Sequence, residues 1–243
     1  MGSQTEQDEI NVLVTGFGPF KEQYPVNPSW AIASSLPDYL PPFNPKALPH
    51  HSLPSLPPVR INVHPSPVHV AYKTVRPLVP KLWDEPADGR RVDIGLHIGM
   101  AGPKPVYQLE RLAHRQGYKL KDVDGELLED DGGAGHEDGS KWIWEGLPEH
   151  IETDVNVGGV MSRWRQLSPD GLDLKLSEDP GRYLCDFIYY SSLAHLTRKG
   201  ERKRVVFLHV PADASETAIR TGRELVVQLI RALVESELSK RPS

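Results

Sequence analysis

A thiol, an imidazole and a carboxylate acting together can break an acyl bond, and this chain of 243 residues offers a single thiol, Cys185. It lies in the stretch Ser177-Glu178-Asp179-Pro180-Gly181-Arg182-Tyr183-Leu184-Cys185-Asp186-Phe187. The β-type run Leu172, Leu174, Leu176 precedes the turn residues, and apolar positions at Leu184, Phe187 and Ile188 follow them. That order predicts a strand, a tight turn and a helix, with Asp179 as N-cap and Pro180 at the first helical position. A thiol in the opening turns of a helix feels unpaired backbone N–H groups and the positive end of the dipole, which favour thiolate. The plainer alternative is a small buried core residue.

Cysteine hydrolysis also needs a histidine that draws and returns the proton, and a third group that fixes its tautomer. His209 stands almost at the carboxyl end of the apolar run Arg204-Val205-Val206-Phe207-Leu208-His209-Val210-Pro211. Strand ends of this kind collect catalytic groups, whereas a core histidine bonded to backbone is the alternative. Glu110, between Leu109 and Leu112, is the candidate carboxylate, and nothing local separates that role from a surface position. All three fall at, or just beyond, the carboxyl edge of the sheet that the pattern predicts.

A ligand slot is suggested by Gly16-Phe17-Gly18-Pro19-Phe20, a loop that leaves the first predicted strand, Ile10 to Thr15. Lys21 stands where a dinucleotide fingerprint needs its third glycine, and no Gly-Lys-Ser/Thr follows, so phosphate is not the expected guest. Two phenyl rings and exposed Gly16 and Gly18 backbone suit a small, flat, neutral group; a hydrophobic turn under a helix is the alternative. Asn27-Pro28-Ser29-Trp30 reads as an N-cap and first helical turn.

These pieces need a frame. Short β-branched runs at 10–15, 59–64, 92–99 and 204–211 alternate with helical spacings, which predicts a parallel sheet with ligands at its carboxyl edge. The third strand ends in Gly99-Met100-Ala101-Gly102-Pro103, a second small-residue loop beside the first. Pro77 and Pro80 predict a kink or two short helices between 71 and 82. Residues 154–167 read as an amphipathic helix, and Asp213 with Glu216 as a capping box for the last one. The Pro-rich segment 37–58 reads as an exposed insertion holding the unpartnered His50-His51 pair, and the acidic, Gly-rich 121–140 as a long mobile loop. The expected organisation is one domain over 1–243 with a polar tail at 1–9.

A net charge of -5 gives no electrostatic ground for nucleic acid as a partner. No apolar run approaches a bilayer span, and the polar N-terminus reads as neither signal peptide nor membrane anchor. One cysteine cannot form an internal disulfide, which fits a reducing, cytoplasmic setting.

Five blocks carry a resemblance: Val12 to Phe20, Val26-Asn27-Pro28-Ser29, Leu109-Glu110-Arg111, Gly181 to Asp186, and Phe207 to Pro211. In that order they resemble the pyroglutamyl peptidase I family, and they span almost the whole chain. The resemblance implies a three-layer α/β/α sandwich around a twisted, mostly parallel open sheet. It implies a cytoplasmic omega-peptidase that removes N-terminal pyroglutamate from peptides, with no metal or cofactor. It further implies Cys185 as nucleophile, His209 as general base and acid, and Glu110 as the carboxylate orienting it. Phe17 and Phe20 match the aromatics that sandwich the lactam ring, Asn27 matches an asparagine beside it, and Leu184 lies in the nucleophile block. Met100 stands where bacterial members often carry a glutamine able to bond the lactam. The expected assembly is a monomer. Two other readings are a non-catalytic pyroglutamate-binding domain of the same fold and an enzyme for nucleosides or phosphorylated ligands; the absent phosphate motifs speak against the second.

Overall fold

A run of β-branched and aliphatic residues with no polar face has to be covered on both sides, and β1 (Ile10–Gly16) is buried along its whole length. In the computed structural model, which describes residues 9–20, 22–42, 56–85, 89–129 and 144–239, β1 lies inside a six-stranded sheet of order β2-β1-β3-β8-β4-β7. Its members are β2 (Val59–Val63), β3 (Ile94–Gly102), β4 (Val106–Glu110), β7 (Asp173–Ser177) and β8 (Val205–Pro211). β2, β1, β3 and β8 run parallel. β4 is antiparallel to β8, and β7 is parallel to β4. A small antiparallel pair, β5 (Leu112–His114) with β6 (His150–Glu152), stands apart.

Alternate side chains along β8 choose opposite layers. Val206, Leu208 and Val210 join a core built with α1 (Pro28–Ser34), α3 (Val157–Leu167) and α5 (Glu216–Leu238). Val205 and Phe207 join a second core with α2 (Tyr72–Asp84) and α4 (Leu184–Arg198). The result is the α/β/α sandwich. α4 is buried nearly all round, with Phe187, Ile188, Tyr189 and Tyr190 at 0% exposure. Tyr189 donates to the Glu110 carbonyl (3.1 Å) and Tyr190 to the Pro148 carbonyl (2.6 Å), so the helix carrying the thiol is pinned to the strand carrying the carboxylate. Among the described residues no helix is long and apolar enough to cross a membrane.

Several local expectations are corrected. α4 begins at Leu184 with Tyr183 as N-cap, not at Pro180. Gly181 has φ +83°, a left-handed turn that no helix tolerates, and the Asp179 side chain accepts from its N–H (3.2 Å) instead of capping α4. α2 is one helix despite Pro77 and Pro80, because both face solvent, where water can take up the carbonyls they orphan. β3 runs on through the expected loop to Gly102, with a register shift after Met100. The N-cap of α5 is Ser215, which accepts from Ala218 N–H; Asp213 accepts from Ser215 N–H instead. The start of the Pro-rich segment is not loose: Leu40 N–H and Ile61 N–H bond to Val59 and Asp38 carbonyls, extending the β2 edge. Nor is the start of the acidic segment, since buried Asp122 accepts from Tyr72, Asp124 and Glu126 N–H at 3.0 Å each. The remainder of both segments, His50-His51 and most of the N-terminal tail lie outside the described residues.

Candidate active site

His209 owes its place to β8, where the register sets it opposite Gly99 of β3 on one side and Gln108 of β4 on the other. Residues two apart on a strand share a face, so Gln108 and Glu110 point the same way, and Glu110 meets His209 on the diagonal between antiparallel strands. Glu110 Oε1 accepts from His209 Nδ1 at 2.8 Å. The expectation that Glu110 would sit at the carboxyl edge with the others is corrected: β4 runs the opposite way, and its last residue lies beneath the imidazole rather than beyond it. Glu110 is fully buried, and its Oε2 has no hydrogen-bond partner among the described residues.

With Nδ1 committed to the carboxylate, Nε2 is the ring nitrogen left for the thiol. Cys185 and His209 line the same cavity. The sulfur of Cys185 rests directly over Gly99: a Cβ placed there would come within 2.8 Å of Cys185 Sγ and 2.6 Å of the Phe207 ring. Glycine at 99 is therefore what admits the sulfur against the sheet. Burial lowers the proton affinity of His209. The charge of Cys185 and hydrogen bonding of the ring to Cys185 and Glu110 outweigh that and raise its pKa to about 10. Cys185 is the second residue of α4, and Tyr183 offers no side-chain cap to the first N–H groups of the helix.

The next residue, Asp186, is fully buried. Burial raises its pKa above the usual carboxylate range, and hydrogen bonds from His114 N–H (2.9 Å) and Nδ1 (3.2 Å) only partly offset this. This pair ties the start of α4 to β5.

A cavity of about 690 Å³ opens over the sulfur and imidazole. Phe17, Phe20, Asn27, Met100 and Leu184, all proposed from sequence, line it. Gly16 and Gly18 do not, and here the expectation is corrected. Gly16 is tucked under α1, where a Cβ would stand 2.6 Å from the Ser29 carbonyl oxygen, and Gly18 N–H is spent on the Val68 carbonyl (2.9 Å). Asn27 holds this loop, donating to the Gly18 carbonyl (2.8 Å) while its Oδ1 accepts from Ser29 N–H and Oγ. Sequence reasoning missed Tyr183, whose ring packs 6.3 Å from that of Phe20, and Gln108, which lines the same cavity. Among the described residues no cluster of three or more His, Cys, Asp or Glu is arranged to hold a metal ion.

A three-layer α/β fold with a thiol and an imidazole at the sheet's rim and a buried carboxylate beneath the imidazole has the layout of a cysteine hydrolase. Comparison with known proteins narrows this. The family model for pyroglutamyl peptidase matches residues 84–235. Pyroglutamyl-peptidase 1 of Rattus norvegicus is 32% identical over 96% of this chain and 92% of its own length, and the Homo sapiens protein of that name matches to the same extent. The pyrrolidone carboxyl peptidase of Thermococcus litoralis shares the fold, with a TM-score of 0.69 at 18% identity over 96% of both chains. The chain belongs to the pyroglutamyl peptidase family.

Proposed function

We propose that this chain hydrolyses the bond after an N-terminal pyroglutamyl residue, with Cys185 as nucleophile, His209 as acid and base, and Glu110 orienting the imidazole. The observation that carries the proposal is the His209 Nδ1 to Glu110 Oε1 bond of 2.8 Å placed under the sole thiol, beside the Phe17 and Phe20 rings. Pyroglutamate has neither amine nor charge, so ring faces and amide hydrogen bonds are what recognise it. A slot walled by Phe17, Phe20 and Tyr183 supplies the first.

The thiolate attacks the acyl carbon, and the oxyanion forms where the open N–H groups at the start of α4 stand to receive it. The His209 imidazolium gives its proton to the leaving nitrogen as the carbon–nitrogen bond breaks, leaving a pyroglutamyl thioester. Neutral His209 then takes a proton from water, which attacks the thioester, and the thiol departs as free pyroglutamic acid forms. Every group in this sequence comes from one chain, consistent with a monomer. A nucleophile that must remain a free thiol suits the cytoplasm, and nothing in the site calls on nucleic acid.

Release of aminomethylcoumarin from pyroglutamyl-aminomethylcoumarin tests the reading. Turnover blocked by iodoacetamide and unaffected by a chelator is the expected result. Tight binding of the substrate without release would replace the peptidase by a binding domain.

A further inference from the structure

The cavity is far larger than a five-membered lactam needs, and the strand order says which way the rest of a substrate must run. From the loop that follows β1 the floor passes in sequence over β3, β8 and β4. Phe17 leaves β1, the sulfur lies over Gly99 of β3, His209 stands on β8, and Gln108 on β4. The acyl carbon must sit at the sulfur with its ring toward Phe17, and the leaving nitrogen must face His209. The remaining peptide therefore continues over β4. The β4 side chain that meets it is Gln108.

Gln108 is suited to that meeting. Directly opposed residues on antiparallel strands have Cβ atoms about 4.5–5.5 Å apart, so its amide reaches the space beside the imidazole. It lines the cavity, is only half-buried, and its side-chain amide has no hydrogen-bond partner among the described residues. His209 does not need it, since Nδ1 is held by Glu110. Its same-face neighbours on β4, Val106 and Glu110, are both buried, which leaves Gln108 as the amide that β4 presents to the cleft. Asn27, the other amide in the lining, is occupied at both ends by its own loop.

Resting on the proposed peptidase activity, we propose that Gln108 is the specificity residue for the leaving group. Its Nε2 donates to the carbonyl of the first residue after the scissile bond, and its Oε1 accepts from the next peptide N–H. A primary amide matches that pair of backbone groups. A coumarin leaving group has no peptide N–H, and its lactone carbonyl lies on the ring remote from the scissile nitrogen.

The test compares kcat/KM for pyroglutamyl-Ala-Ala-amide with that for pyroglutamyl-aminomethylcoumarin in the wild type and in Gln108→Met, which keeps length and loses the amide. The peptide-to-coumarin ratio should fall about tenfold in the variant, the scale of one lost hydrogen-bonding side chain. In the wild type, pyroglutamyl-propylamide should be cleaved about tenfold less efficiently than pyroglutamyl-Ala-amide, and this arm decides the matter should the variant not fold. An unchanged ratio, including equal losses on both substrates, overturns the assignment while leaving the peptidase reading intact. A wild type that cleaves neither substrate removes the peptidase reading itself and the assignment with it.

Discussion

His97 and His209 stand on neighbouring strands, β3 and β8, with side chains on the same sheet face, and both are nearly sealed from water at 0% and 5% exposure. Burial pushes both imidazoles toward the neutral form. At His97 nothing opposes it. Thr15 Oγ1 (2.7 Å) and Ser192 Oγ (2.9 Å) satisfy the two ring nitrogens without charge, and the pKa falls to about 3. At His209 the partners are the thiol and a buried carboxylate, and the pKa rises to about 10. The lesson is that the neighbours, not the depth, decide whether a buried imidazole stores a proton. Two residues of strand separate a histidine held by hydroxyls from one held beside a carboxylate and a thiol.

The sharpest way to break the contrast is to remove the charge at its source. Cys185→Ala should lower kcat/KM for pyroglutamyl-aminomethylcoumarin by about 10⁴-fold or more, the scale of losing a covalent nucleophile. It should also lower the His209 pKa, read by NMR titration of the ring, because Cys185 is among the causes that raise it. An imidazole that titrates unchanged in the variant would show that Cys185 and His209 are not coupled.

Glu110→Gln should be the next largest, with kcat/KM reduced on the order of 10²–10⁴-fold, because the amide keeps an acceptor oxygen but loses the charge that stabilises the imidazolium and can turn its NH2 donor to the ring instead. The pH profile separates orientation from mere damage. His209 must be protonated to deliver its proton to the leaving nitrogen, and its raised pKa keeps it so until pH approaches about 10. Glu110 is one of the raising causes, so the alkaline limb of kcat/KM should move to lower pH in the variant. A limb that stays in place would mean that Glu110 does not bear on the proton.

Gly99→Ala tests the floor shared by sulfur and imidazole. The added methyl would stand 2.8 Å from Cys185 Sγ and 2.6 Å from Phe207, too close for either, and α4 is locked by its buried tyrosines. Displacing a nucleophile by about 1 Å costs roughly 10²-fold, so that loss in kcat is expected with a smaller change in KM. Activity within twofold of wild type would show that the thiol attacks from another position.

Much of this arrangement was legible in the chain. β1 and β8 announce themselves as unbroken apolar runs, Asn27 caps α1 as its type suggests, and Cys185, His209 and Glu110 lie together. The failures have physical causes. Asp179 and Pro180 are helix-start residues by type, but the left-handed Gly181 behind them turns the chain first, and only tertiary packing fixes where α4 begins. Strand direction is not written in five residues, so the reversal of β4 was invisible. Nothing local to Glu110 separates a surface carboxylate from one buried beneath an imidazole, and Gln108, two residues before it, carries no signal that it lines the cleft. Leu96-His97-Ile98-Gly99 and Leu208-His209-Val210-Pro211 are near copies as sequence, and nothing in them tells which histidine meets a charge.

His97→Leu approaches the comparison from its quiet side. It strands the Thr15 and Ser192 hydroxyls in the core and should reduce unfolding free energy by about 1–3 kcal/mol. The kcat/KM of the folded fraction should stay within about twofold, because the group touches neither substrate nor the reactive trio. Acid should expose the difference more cleanly. The folded pKa of His97 lies below its ordinary value of 6.5, so the unfolded chain binds the extra proton between about 6.5 and about 3. The stability that neutral His97 confers is therefore complete above 6.5 and is lost as pH falls through that window. Between pH 6.5 and 5, above the usual carboxylate range, the slope of unfolding free energy against pH should be shallower in His97→Leu than in wild type. Equal slopes would mean that the buried imidazole gains its proton before the fold gives way, and the neutral partner would be no more fixed in charge than the reactive one.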